Sequence, residues 1–290
     1  MGTIGITLGD QAGIGPEVVE AALASGALPD GFEVRLVGEK IDAQAGVPTR
    51  GTARAALDAL EESVRLLKAG EIDAVVTAPV GKEGLHGLGF DFPGQTEFFA
   101  DRLGCENYAM CLTGKTLTVA LVTIHVALAE VPRLLRREEI VRVGRLLGGF
   151  CRQRGIAAPR VAVCGLNPHA GENGAFGDEE ARVVVPAVEE LRRMADGVEF
   201  SGPHPPDTVF RPAADGAYDA VLCMYHDQGL IPLKLLDFDT GVNVTLGLPY
   251  PRTSPDHGTA YGIAGTGKAD ASSMIHAIEL ACEMVSGKAE

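Results

Sequence analysis

Arg160-Val161-Ala162-Val163-Cys164-Gly165-Leu166-Asn167-Pro168-His169-Ala170-Gly171-Glu172 is a short apolar run that passes at once into a polar, turn-rich stretch. A continuous apolar run of this length reads as a strand buried on both faces, as in a parallel sheet. The pattern recurs twice. Residues 117–122 lead into Thr123-Ile124-His125, and residues 220–223 lead into Met224-Tyr225-His226-Asp227-Gln228-Gly229. Each histidine therefore stands at the carboxyl end of a predicted strand, the edge at which open α/β sheets bind ligands. Three imidazoles meeting there would form a divalent-metal site with open positions, which is what metal-assisted catalysis needs. A single histidine is by default a hydrogen-bonded structural residue; the case rests on three in equivalent places.

Outward from these runs, strand-like and helical patterns alternate along the chain. Strands are predicted at 2–8, 33–37, 74–77, 108–112, 117–122, 160–164, 198–201 (an edge), 218–223 and 241–246. Helices are predicted at 16–25, 52–69, 95–103, 138–154, 178–194 and 271–284. The short turn Gly114-Lys115 makes the strands on either side of it antiparallel neighbours. The alternation predicts an α/β fold with a mostly parallel sheet. No repeat or flexible linker interrupts it.

The chain has 290 residues, enough for a large core and two lobes. Its net charge of −14 argues against nucleic acid or an anionic membrane as a partner. The six cysteines form no C-x-x-C pair and read as reduced thiols of a cytoplasmic protein, with Cys164 and Cys223 in strand cores. Residues 1–8 read as a first strand, not a signal peptide, and no apolar stretch is long enough to span a bilayer.

Further motifs carry candidate chemistry. Gly9-Asp10-Gln11-Ala12-Gly13-Ile14-Gly15-Pro16-Glu17 is a glycine-rich loop between strand and helix. It is neither a Walker loop nor a dinucleotide fingerprint, and it reads as an anion-approaching loop or as a tight structural turn. In Pro93-Gly94-Gln95-Thr96-Glu97, Thr96 reads first as the N-cap of its helix and otherwise as a ligand contact. Lys234, Asn243 and Arg252 form a cationic and amide trio suited to a phosphate or carboxylate, with Arg252 in a rigid proline-flanked loop. The bland reading is a snorkelling lysine and a surface arginine. His86 and His276 read as helix-surface or packing residues and His204 as part of an exposed proline turn. His257 sits at a loop–helix junction suited to a ligand.

Taken together, GDQAGIGPE, TAPVGKEGLH, FPGQTE, TIHVALAEV, GLNPHAGENGAFGDEE, GPHPPDTVF, MYHDQGLIPLK, GVNVTLGLPYPRTSPDHGTA and IAGTGKAD make the chain resemble the 4-hydroxythreonine-4-phosphate dehydrogenases of pyridoxal phosphate synthesis. The resemblance implies a two-lobed α/β fold like that of isocitrate and isopropylmalate dehydrogenases, with a cleft between the lobes and a homodimer. Residues 1–115 with 245–290 would form the cofactor-side lobe, and residues 116–244 the central lobe with metal ligands and dimer contacts.

It further implies that His125, His169 and His226 bind a divalent metal (Zn, Mg or Co), the third coming from the partner subunit. Gln95, Thr96, Lys234, Asn243 and Arg252 would contact a small phosphorylated hydroxy acid. Asp207 and Asp227 would lie near the metal and orient its ligands. His257, Gly258, Thr259, Ala260, Gly265 and Gly267 resemble the adenine-side loop for NAD, with NADP as an alternative. One departure stands out: the family motif commonly reads P-G-H-T-E, and here Gln95 replaces the histidine.

The implied reaction is oxidation of 4-phosphohydroxy-L-threonine to the 3-keto acid, with decarboxylation to 3-amino-2-oxopropyl phosphate. D-threonate or D-erythronate 4-phosphate, and cyclic cis-diol dicarboxylates, are the alternatives within the family. The general base stays open among Lys234, an aspartate and a metal-bound hydroxide. A three-histidine metal hydrolase and a non-catalytic metabolite-binding protein are the rivals from other classes.

Overall fold

A computed structural model of the chain describes residues 2–26, 28–194 and 197–287. The chain opens with β1 (Gly2–Thr7), α1 (Gly15–Ala24), β2 (Phe32–Val37), α2 (Arg50–Ala69), β3 (Ala74–Thr77), α3 (Lys82–His86) and α4 (Gln95–Leu103). There follow β4 (Ala109–Thr113), β5 (Thr118–Thr123), α5 (Val131–Leu134), α6 (Arg137–Gln153), β6 (Arg160–Cys164), α7 (Val185–Arg193), β7 (Glu199–His204), α8 (Phe210–Ala214), β8 (Ala220–Tyr225) and α9 (His226–Leu236). β9 (Val242–Leu246), β10 (Arg252–Pro255) and α10 (Ser272–Ser286) close it.

Two compact units result, Met1–Glu106 with Asp239–Glu290, and Asn107–Phe238. The boundaries that the resemblance implies, at 115 and 245, fall somewhat later. The difference has a cause in strand pairing. β4 forms an antiparallel hairpin with β5 and goes with the second unit, while β9 pairs with β10 and goes with the first.

In the first unit the strands run β2-β1-β3-β10-β9, parallel except for β10 against β9. β3 is buried along its whole length, as expected of a continuous apolar strand in the middle of a sheet. α2 begins at a reciprocal capping box between Thr49 and Thr52 and ends at Gly70, whose φ of 67° is a left-handed cap. Its apolar face (Ala56, Leu60, Val64, Leu67) joins Leu85, Phe90, Phe98 and Phe99 in one core.

In the second unit the order is β4-β5-β8-β6-β7, with only β4 against β5 antiparallel. The predicted turn and antiparallel pair are present, and β7 is the edge. Leu112, Val119, Leu121, Cys164, Val221 and Cys223 belong to its core. All six cysteines are free thiols, and burial pushes Cys223 well above the ordinary thiol range.

Three local readings need correction. Residues 252–255 form a buried strand and not a rigid loop, because β10 fills the place between β3 and β9. The helix predicted over 178–194 starts with a π-turn at Glu180–Val184 before α7. His204 ends β7, half-buried, instead of lying in an exposed turn; its Nε2 is 2.8 Å from Ser201 Oγ, and burial holds its pKa down. Among the described residues no helix is long and apolar enough to cross a membrane.

Candidate functional site

β5, β8 and β6 are adjacent parallel strands, so their carboxyl ends line up on one edge of the second unit. Side chains tie those ends together. Thr123 Oγ1 donates to Met224 O at 2.8 Å, joining β5 to β8. Gln228, 6 % exposed, accepts from Met224 N at 2.7 Å and donates to Gly165 O at 2.8 Å, joining β8 to the loop after β6. Sequence reasoning had passed over Gln228; its place two residues after His226 in a strand-to-helix turn was the available signal.

His125 follows β5 in a left-handed conformation, φ 46°, and His226 opens α9. Their ring centroids lie 5.6 Å apart. A cavity of about 230 Å³ lies beside them, lined by His125, Val126, Leu128, Tyr225, His226 and Asp227 among others. Asp227 Oδ1 is 2.7 Å from His226 Nδ1. A carboxylate on one ring nitrogen selects the tautomer that leaves the other as a metal donor. Asp227 thus fixes the His226 ring through Nδ1.

His169 does not join the pair within one chain. Its loop is wound left-handed from His169 to Asn173, and its ring packs 5.9 Å from Phe176. Among the described residues no three His, Cys, Asp or Glu side chains converge on one metal position. The donor chemistry still fits a divalent ion in part: two facing imidazoles, one with a carboxylate behind it, form half of an imidazole site. Asp207 is exposed in the turn before α8, and Lys234 is half-buried on α9.

The first unit carries a different kind of site. Arg252 is 3 % exposed at the start of β10. Its guanidinium donates to Thr77 Oγ1 at 2.7 Å, Gln95 Oε1 at 3.1 Å and Thr245 Oγ1 at 3.5 Å, and lies 5.8 Å from the Phe99 ring centroid. All three hydrogen-bond partners are uncharged. Burial pushes its pKa down to about 10, only partly offset by Glu97, so it remains a cation at neutral pH. A buried cation without a paired anion is costly and is a natural receptor for an anionic ligand.

Thr96 is not the N-cap of α4. Gly94 holds that position, and Thr96, buried at the second residue of the helix, meets Thr245 Oγ1 at 3.3 Å. Among the described residues, buried polar atoms without a hydrogen-bond partner are Glu97 Oε2, Asn243 Oδ1, Arg252 Nε and His257 Nε2. Asn243, Arg252 and His257 are residues the family resemblance assigns to ligands.

The loop that carries His257, Gly258, Thr259, Ala260, Gly265 and Gly267 is braced by the glycine-rich segment after β1. Ile14 N donates to Thr259 O at 2.9 Å, Gly265 N to Glu17 Oε1 at 3.2 Å, and Tyr261 OH to buried Asp10 Oδ2 at 2.7 Å. Burial and Asp10 push the Tyr261 phenol up to about 12. Gly9–Glu17 therefore braces the neighbouring loop. Tyr261→Phe is expected to lower the melting temperature by a few degrees, the cost of one hydrogen bond to a charged group. Thermal unfolding checks this, and an unaltered melting temperature would exclude the brace.

The fold is that of the isocitrate dehydrogenase-like α/β dehydrogenases. Isocitrate dehydrogenase from Methylococcus capsulatus superposes with a TM-score of 0.57 at 16% identity, over 98% of this chain and 85% of that one. Residues 17–281 match the family described as "Pyridoxal phosphate biosynthetic protein PdxA". The chain is 46% identical to 4-hydroxythreonine-4-phosphate dehydrogenase of Desulfosudis oleivorans, over 97% of this chain and 95% of the relative. It is 39% identical to D-threonate 4-phosphate dehydrogenase of Pectobacterium atrosepticum, over 97% and 98%. The crystal structure of 4-hydroxythreonine-4-phosphate dehydrogenase from Klebsiella pneumoniae matches with a TM-score of 0.82 and 38% identity, over 98% and 100%. The chain belongs to the PdxA family of dehydrogenases.

Proposed function

We propose that the chain oxidises 4-phosphohydroxy-L-threonine with NAD and releases carbon dioxide and 3-amino-2-oxopropyl phosphate. The observation that carries this reading is Arg252, a buried guanidinium bonded only to neutral groups, in a chain of dehydrogenase ancestry. When bound, NAD supplies the hydride acceptor, and a divalent metal (Zn, Mg or Co) supplies Lewis-acid polarisation of the substrate alcohol.

The chain's residues bind and orient. Arg252, Asn243, Thr96 and Gln95 hold the phosphate end, with Lys234 as a further cation for the substrate. His125, His169 and His226 hold the metal, and Asp227 keeps His226 in the donor tautomer. The hydroxyl proton passes to a base in the set Lys234, Asp207 and Asp227. The hydrolase and binding-protein rivals fall with the family assignment.

The phosphate reading is tested by absorbance of reduced nicotinamide on turnover. 4-phosphohydroxy-L-threonine should be consumed fastest, and a faster rate with D-threonate 4-phosphate would replace the substrate. Gln95 is the feature that favours this second reading, because an amide in place of an imidazole cannot carry charge towards the ligand.

We further propose a cytoplasmic homodimer with a metal site shared between subunits. Ile231, Leu235 and Phe238 support it, being 67%, 81% and 73% exposed on and just after α9. The family resemblance implies that His226 comes from the partner, whereas His125 and His226 of one chain face each other. Mixing inactive His169→Ala and His226→Ala chains is expected to restore about a quarter of wild-type activity, since random exchange leaves one sound site in each mixed dimer. Whichever of the two also complements His125→Ala is the histidine donated across the interface. No recovery after proven subunit exchange would assign the site to one chain.

A further inference from the structure

We infer that Glu180 is the positioning residue for the loop that presents His169, and that through this loop it sets the chain's affinity for a divalent metal. Glu180 is 5 % exposed, and its side-chain hydrogen bonds all go to that loop. Oε1 accepts from Leu166 N and Asn167 N, both at 2.7 Å, and Oε2 accepts from Asn167 Nδ2 at 2.9 Å. Glu179 Oε2 takes the same amide at 2.8 Å. The loop thus closes on a two-carboxylate clamp.

Two further features match this assignment. The first is the π-turn that Glu180 opens, Glu180–Val184. One extra residue in a helical turn re-aims the side chains around it, and such turns concentrate at functional sites. The second is the space left for the carboxylate. A Cβ on Gly165 would lie 3.1 Å from Glu180 Oε1, and one on Gly171, where φ is +80°, would lie 2.7 Å from Oε2.

The need for a clamp follows from the backbone. His169, Ala170, Glu172 and Asn173 have φ of 53°, 51°, 39° and 55°, a left-handed path that side-chain-bearing residues adopt only when held from outside. The loop-facing carboxylate supplies that hold at the amides before the turn. Residues that orient a metal-binding histidine without touching the ion commonly change affinity by about 10- to 100-fold.

This inference rests on the reading of His169 as a metal ligand, so its test begins with the metal alone. The full-length protein is titrated with Co(II), whose visible absorption reports coordination without turnover. Wild type is expected to bind, and Glu180→Ala to bind about 10- to 100-fold more weakly. Hydrogen exchange should show lost protection at the Leu166 and Asn167 amides and unchanged protection in β5 and β8. Glu180→Gln, which keeps an acceptor for both amides, should recover most of the affinity.

If Glu180→Ala does not fold, Asn167→Ala opens the clamp from the loop side and should weaken Co(II) binding about tenfold. Equal affinity in wild type and in the folded clamp variant overturns the role of Glu180 while leaving the metal reading standing. A wild-type protein that takes up no Co(II) overturns both.

Discussion

His226→Ala is expected to lower kcat/KM by about 1000-fold or more under the proposed metal role, because Lewis-acid stabilisation would supply several kcal/mol and each 1.4 kcal/mol is worth a factor of ten. Two contacts make this residue the sensitive one. Its ring faces His125 at 5.6 Å between centroids, and its Nδ1 is engaged by Asp227 at 2.7 Å. The substitution should leave the fold intact, since the side chain is only half-buried at the first turn of α9 and takes no part in the Gln228 bridge. Circular dichroism and Co(II) titration accompany the kinetics. A folded variant with activity within tenfold of wild type would remove His226 from the metal site.

Arg252→Ala is expected to raise KM for the phosphorylated substrate by about 100-fold, the loss of a buried charge-assisted pair worth about 3 kcal/mol. KM for NAD should change little. Arg252→Lys should recover only part of the loss, because an ammonium cannot reproduce a planar fork held by Thr77, Gln95 and Thr245. Similar increases in both KM values would mean that the arginine supports the fold and not the phosphate.

The pH dependence has a definite sign. The substrate phosphate takes its second charge near pH 6, so binding strengthens as pH rises through about 6. Gln95 has no proton to lose in the neutral range. Arg252 keeps its charge through the neutral range, and its hold on the phosphate weakens as pH rises through about 10. A histidine in place of Gln95 would add a step near neutrality, which a Gln95→His variant would display directly.

Much of the second unit was legible in the sequence. Residues 117–122, 160–164 and 220–223 are continuous apolar runs, and the turn formers after them mark the sheet edge where His125, His169 and His226 emerge. The hairpin around Gly114-Lys115 was legible for the same local reason. Less visible was anything whose cause lies far along the chain. Arg252 sits among prolines and read as a loop residue, yet it starts a buried strand because β3 and β9 flank it. Thr96 has the composition of a cap, but its hydroxyl meets Thr245 across 149 residues of sequence.

The alternation of apolar runs and amphipathic helices, being local, already determined an α/β chain with histidines on one strand edge. Tertiary structure alone decided which groups meet. It drew His125 to His226 and held His169 apart, turned Gly9–Glu17 into a brace for the loop over 259–265, and buried Arg252 with only neutral hydrogen-bond partners. The reason is physical: periodicity records which face of an element is buried, whereas a charge's cost and a ring's neighbour depend on elements packed against it from elsewhere in the chain.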